Sequence, residues 1–159
     1  MEGVIFLDSS ILLNILDVPQ KNSDRATVLP RFQELYGSGS HLLVIPMAAV
    51  LEVGNHIAQI ADGAVRRLLA ERLVEFLRMS MKGTPPWVVS GAVWDVAFLH
   101  DLVEGLPPRP NLVELATQGI GAGDASILLE AQRYRERVDL PSGLPLRIWS
   151  LDEGLQSYA

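Results

Sequence analysis

The sequence predicts an α/β fold in three layers, α/β/α, around a central, mostly parallel sheet of four to five strands. Three observations predict it. Short β-branched or apolar runs alternate with longer segments of helical periodicity, as βαβ units do. The short runs are apolar throughout, the pattern of strands buried on both faces. The mean hydropathy is positive, +0.22, which suits a sheet covered on both sides or a helical face covered by a partner.

Taken in order, Gly3–Leu7 (GVIFL) reads as a buried strand ending at Asp8. Ser9 and Ser10 stand where they could cap a helix over residues 11–16, which Asp17-Val18-Pro19 breaks. Residues 20–24 form a polar loop. Residues 26–36 read as a helix, with Pro30 either kinking it or marking its true first turn. Gly37-Ser38-Gly39-Ser40 is a turn, and His41–Ile45 (HLLVI) is a second buried strand ended by Pro46.

Residues 47–61 carry Val50, Val53, Ile57 and Ile60 at helical spacing. After Asp62-Gly63, residues 64–81 predict a long amphipathic helix. Val65, Leu68, Leu69, Leu73, Phe76 and Leu77 face inward, and Arg66, Arg67, Arg72 and Arg78 lie on the other side. Residues 83–86 are a loop, 87–90 a third strand, 92–104 a helix, 106–111 a loop with three prolines, and Leu112–Thr117 a short helix. A glycine-rich connection over 119–123 leads to Asp124, which opens a helix running to about Val138. Residues 146–150 (LRIWS) are a fourth strand, and Asp152 follows. No repeat or long linker divides the chain, so residues 1–159 are expected to form a single domain.

Composition narrows the chemistry. The 159 residues are 48% hydrophobic and 20% charged, which is globular. Cysteine is absent, which excludes a disulfide framework, a thiolate zinc site and a cysteine nucleophile, and fits a reducing, cytoplasmic setting. Glu2 stands where a signal peptide would be basic, and Asp8 cuts the first apolar run. No uncharged apolar stretch reaches the roughly 18 residues of a membrane span. The net charge of −6 argues against gripping nucleic acid through an overall positive field. It leaves room for an acidic cluster whose bound cations reverse the local sign.

Four acids fall at telling places. Asp8 ends the first strand, Glu52 lies in the second turn of the helix after the second, Asp124 sits at a helix start, and Asp152 follows the fourth strand. With parallel strands, at least three reach one edge of the sheet, where such folds bind ligands. Acids gathered there repel one another unless an oxygen-seeking divalent cation binds. Two metals about 4 Å apart can activate a water on one side of a phosphodiester and stabilise the leaving oxygen on the other, with no side-chain nucleophile.

Those residues also carry a family resemblance. FLDSSILLNIL (6–16) looks like the opening of PIN domains: a hydrophobic strand, an Asp, a hydroxyl pair and an apolar helix. IPMAAVLEV (45–53) resembles the second family block, GAGDASILLEA (121–131) the third, and IWSLDEGL (148–155) the fourth, with a hydroxyl two residues before an Asp. The blocks stand in family order. The resemblance implies a PIN-like nuclease domain over residues 1–159 that cleaves single-stranded or loop RNA. Mg²⁺ or Mn²⁺ would be held by Asp8, Glu52, Asp124 and Asp152. The nearest group by pattern is the VapC-type toxins of prokaryotic toxin–antitoxin pairs, which implies a homodimer and an antitoxin partner. The spacings from Glu52 to Asp124 and from Asp124 to Asp152 are longer than in compact members, which implies insertions.

Each residue also has a plainer reading. Asp8, Asp124 and Asp152 could be helix caps. Glu52 could be a solvated helix residue, although its neighbours are apolar and a buried acid needs a partner. Ser10 could bond the acids or only cap. Asn55 and His56 share a helix face with Glu52 and could contact phosphate or simply lie on the surface. The arginines read as solvated faces, and Trp87, Trp94 and Trp149 as core or interface. His41 and His100 have no ligand spacing. Two other functions compete: a non-catalytic PIN-like binding module, and a haloacid-dehalogenase-type phosphatase. The phosphatase would want a second Asp where Ser10 stands.

Overall fold

The run Gly3–Leu7 forms strand β1, buried at every position. A strand buried on both faces must be covered on both faces, and β1 therefore lies inside the sheet with helices above and below. The computed structural model describes residues 1–82 and 87–156. In chain order its elements are β1, α1 (Ser9–Ile15), α2 (Arg25–Ser38), β2 (His41–Ile45), α3 (Met47–Ala58), α4 (Gly63–Ser80), β3 (Trp87–Val89), α5 (Val96–Glu104), α6 (Leu112–Thr117), α7 (Ala122–Val138), β4 (Leu146–Trp149) and α8 (Glu153–Gln156). The predicted loop over 83–86 lies outside the described residues.

The four strands form one sheet in the order β3-β2-β1-β4, and every pairing is parallel. Phe6 registers with Val44 on one side and Ile148 on the other. All strands thus end at the same edge, and Asp8, donating its backbone N–H to the Trp149 carbonyl at 3.0 Å, continues the ladder at that edge. The architecture is the three-layer α/β/α arrangement the sequence predicts, with four strands among the described residues.

Packing follows the strand pleat. Phe6, fully buried, meets Tyr134 of α7 edge-on at 5.4 Å. At the other end of the sheet Trp87 stacks on Phe76 at 4.5 Å and Phe32 closes against both. The Trp87 indole N–H is satisfied by the Phe76 carbonyl. One main core runs through the sheet, and a small second one lies around Leu115, Ile120 and Ala125.

A buried acid joins two helices. Helix α3 begins after Pro46, which offers no side-chain cap. The missing cap comes from α7: the Glu130 carboxylate accepts the Met47 N–H at 2.9 Å and the Ala48 N–H at 3.0 Å. It also accepts the Ser90 hydroxyl at 2.6 Å. Glu130 is 1% exposed. Burial pushes its carboxyl above the usual range, and the three donors act against that push.

Several expected details differ. Helix α1 starts at Ser9, capped by Asp8 rather than by the serines. Of the two readings of Pro30, the structure bears out a place inside α2 rather than at its first turn. Helix α3 stops at Ala58, before the expected residue 61. Helix α5 starts at Val96, capped by Asp95, because the Asp carboxylate captures the Phe98 N–H. Gly121, not Asp124, caps α7. Leu68 is exposed, at 46%, rather than inward, and of the readings core or interface the 45% exposure of Trp94 excludes the core.

Phe6→Ala is expected to cost about 3–5 kcal/mol, since it empties a site closed on both faces of the sheet. The check is the urea midpoint at unchanged slope. A loss below about 1 kcal/mol would mean the centre of the sheet is not packed as described.

Candidate metal centre

Asp8 is placed by β1 and held by hydroxyls. Its Oδ2 accepts the Ser10 and Ser150 hydroxyls, both at 2.7 Å, and more distantly the Ser10 N–H at 3.4 Å. The two serines are themselves tied down. Ser10 Oγ accepts the Leu151 N–H at 3.0 Å, and Ser150 Oγ accepts the Asp152 N–H at 2.9 Å. The β1 and β4 ends are thereby bound together around one carboxylate. Asp8 is only 3% exposed, so these charge-assisted bonds supply what water would otherwise give.

Glu52 projects from α3 and is half-buried. The Ser9 hydroxyl donates to its Oε2 at 2.5 Å, while the same Oγ lies 3.4 Å from Asp8 Oδ1. Glu52 also lies against the first turn of α7. A Cβ on Gly123 would fall 1.8 Å from Glu52 Oε1, so only glycine leaves room for the carboxylate there.

Asp124 follows in that same turn. No side-chain donor reaches its carboxylate among the described residues. Desolvation, then the charges of Asp8, Glu52 and Asp152, push its carboxyl up to about 7. A place in the first turn of a helix favours the anion, so the push overcomes that preference.

Asp8, Glu52 and Asp124 each offer an oxygen, and these oxygens lie within 4.8 Å of one another. This is the spacing and donor set of a hard divalent cation site. The Gly123 cradle and the raised Asp124 carboxyl both fit such a cation, because a positive charge would relieve the crowding that the protein alone does not. Asp152 stands apart from this trio. It is exposed, and its Oδ1 accepts the Gly154 N–H at 2.8 Å to open α8, so the plainer capping reading describes its contacts.

Asp8 and Asp124, though not Glu52, border a groove of about 350 Å³ lined also by Ser10, Gln20, Lys21, His56 and Asp152. Of the predicted pair after Glu52, His56 lines the groove and Asn55 is exposed away from its lining. The arginines of α4 lie elsewhere: Arg67 and Arg78 pair with Glu71 and Glu75, and Arg72 donates to the Leu16 carbonyl. A larger cavity, about 650 Å³, lies beside β4 against Pro107, Leu128 and Ile148, away from the acid trio.

Sequence reasoning did not find Ser9, Gly123 or Glu130. Ser9 was read only as a possible helix cap, Gly123 lay within a PIN-like segment without an assigned role, and Glu130 breaks the apolar run ILLEA.

No family model matches the chain, and no curated protein matches it. Among solved structures the fold is similar to a chain in the crystal structure of VapBC2 from Rickettsia felis bound to a DNA fragment from their promoter. The TM-score is 0.50 at 14% identity, over 92% of this chain and 99% of that one. At that identity the likeness is one of fold. The class that fold and site define is thus an α/β/α protein with a three-acid cluster at the carboxyl edge of a parallel sheet.

Two outcomes are expected. The folded, cation-free protein keeps a proton on Asp124 up to about pH 7, whereas the unfolded chain releases it near 3.8. Folded protein then binds more protons than unfolded, so stability falls as pH rises through that window. Thermal melts in EDTA should show a lower midpoint near about pH 8 than near about pH 5, and Asp124→Asn should flatten the difference; an equal slope in both proteins would contradict this. Separately, Gly123→Ala should keep or raise stability by up to about 1 kcal/mol through helix propensity, while displacing the Glu52 carboxylate from Ser9. A crystal structure of the variant with Glu52 unmoved would refute the close approach.

Proposed function

We propose that this chain is a metal-dependent endoribonuclease, a PIN-like nuclease domain over residues 1–159 of the VapC-like kind. The observation that carries the reading is the trio Asp8, Glu52 and Asp124, with oxygens within 4.8 Å, at the ligand-binding edge of an all-parallel sheet. The likeness of fold to a VapBC2 chain supports it.

In this reading Asp8, Glu52 and Asp124 hold Mg²⁺ or Mn²⁺, and Asp152 is an outer, fourth ligand at the rim. When bound, the metal supplies an activated water and charge stabilisation for phosphodiester hydrolysis. The protein's part is orientation. Ser10 and Ser150 fix the Asp8 carboxylate, and Ser9 fixes Glu52. These hydroxyls donate to carboxylates, which suits holding rather than nucleophilic attack. Lys21 and His56 border the groove, where a backbone phosphate of single-stranded or loop RNA would lie. A groove walled by acids repels phosphate until cations enter, which makes substrate entry depend on metal as well as chemistry.

The same reading makes the chain the toxin of a toxin–antitoxin pair, with a cognate antitoxin, a homodimeric state and a cytoplasmic site of action. No helix among the described residues is long and apolar enough to cross a membrane.

The test is cleavage of a single-stranded RNA with Mg²⁺, Mn²⁺ or EDTA. Wild type should cut with either metal and not with EDTA. Asp8→Asn and Asp124→Asn should fall to the EDTA level while keeping the fold. Full activity in either variant, or in EDTA, would sink the assignment.

A further inference from the structure

We propose that Glu130 is a positioning residue for the acid cluster: by capping α3 from within α7, it sets the separation of Glu52 from Asp124. Its effect on cation binding rests on the metal reading above; its effect on the separation does not.

The geometry is a two-point stitch. Helices α3 and α7 pack on each other. At one end Glu130 of α7 holds the first two amides of α3, those of Met47 and Ala48. At the other end Glu52 of α3 lies over Gly123 of α7. The start of α3 meets the middle of α7, and the middle of α3 meets the start of α7, so the two helices run antiparallel across this contact. Glu52 comes a little over one turn after the anchored amides, and Asp124 comes less than two turns before Glu130. Both acids are therefore placed by short, stiff lengths of helix measured from one carboxylate.

Nothing local could do this for α3. Its cap residue is Pro46, which makes no side-chain cap. The first turn of a helix leaves unpaired N–H groups that attract an anion, and here the anion comes from 83 residues further along the chain. The third donor, Ser90 Oγ at 2.6 Å, fixes the carboxylate from the end of β3, so it has little freedom to follow α3 if the helix shifts. Among the described residues two acids are buried to less than a tenth exposure, Glu130 and Asp8. Glu130 does not line the groove, so its part is to act through α3.

Glu130→Gln keeps the size and removes the charge and one acceptor oxygen, which sets an amide N–H against a backbone N–H. The test has two readouts on the full chain. A crystal structure of the variant should show the Glu52 carboxylate drawn away from Asp124 and Asp8. Mn²⁺ titration by calorimetry should show about 10–100-fold weaker binding, the usual loss when a support of a metal ligand is removed. Leu35→Ala, which weakens the core in α2, should lower stability and leave Mn²⁺ affinity as in wild type. The proposal is overturned if the three carboxylates keep their spacing in Glu130→Gln, or if Leu35→Ala weakens Mn²⁺ binding as much. Should Glu130→Gln fail to fold, Ser90→Ala, which leaves the acid in place with one donor fewer, should shift Glu52 in the same sense; unchanged spacing there overturns it too. Wild type that does not bind Mn²⁺ would instead refute the metal reading, and the crystallographic comparison would still decide the role of Glu130.

Discussion

Like charges at short range push apart, and three carboxylates are held here with oxygens within 4.8 Å. Two full charges at that separation repel by about 3–4 kcal/mol at an effective dielectric constant of about 20. Such a cluster does not form by chance contact of surface side chains; the backbone must hold it. The parallel sheet does the first part. It brings the ends of β1 and β4 to one edge and delivers Asp8 and Ser150 side by side. The helices do the rest, α3 carrying Glu52 and α7 carrying Asp124 from across the same edge.

The three acids are not kept in the same way. Asp8 is almost wholly buried but surrounded by hydroxyl and amide donors that are fixed in turn by β4. Glu52 has a single strong donor, Ser9, and a glycine beneath it. Asp124 has burial and neighbouring charge but no side-chain donor among the described residues, and its carboxyl is pushed up to about 7. A divalent cation binding here would displace a proton from Asp124, which couples occupancy to pH near neutrality.

Much of this was legible in the sequence, and the exceptions have physical causes. GVIFL and HLLVI carry strand type on their face, because strand positions buried on both faces are apolar, as all of β1 and residues 43–45 of β2 are. The helical acids after strands β1 and β2 follow from topology. Helix starts were harder. Ala92, Val93 and Trp94 extend the apolar period of α5 backward, and only the Asp95 cap shows where the helix begins. The expected start of α7 at Asp124 falls after the observed one, since the true cap, Gly121, is silent as a side chain. Glu130 was the least legible. A lone acid in ILLEA signals a buried partner, but the partner is backbone N–H of residues 47 and 48, and backbone donors leave no mark in a sequence.

Burial also separates the inner acids from the outer one. Asp152 contributes to the push on Asp124, yet it is exposed and one of its oxygens already caps α8. Charge facing water is screened by salt over about 8–10 Å, whereas Asp8 cannot be screened so easily. The influence of Asp152 on the cluster should therefore fade with ionic strength while that of Asp8 persists. A cation entering the groove would meet the screened acid first and the unscreened ones last, an order that runs from the rim to the end of β1.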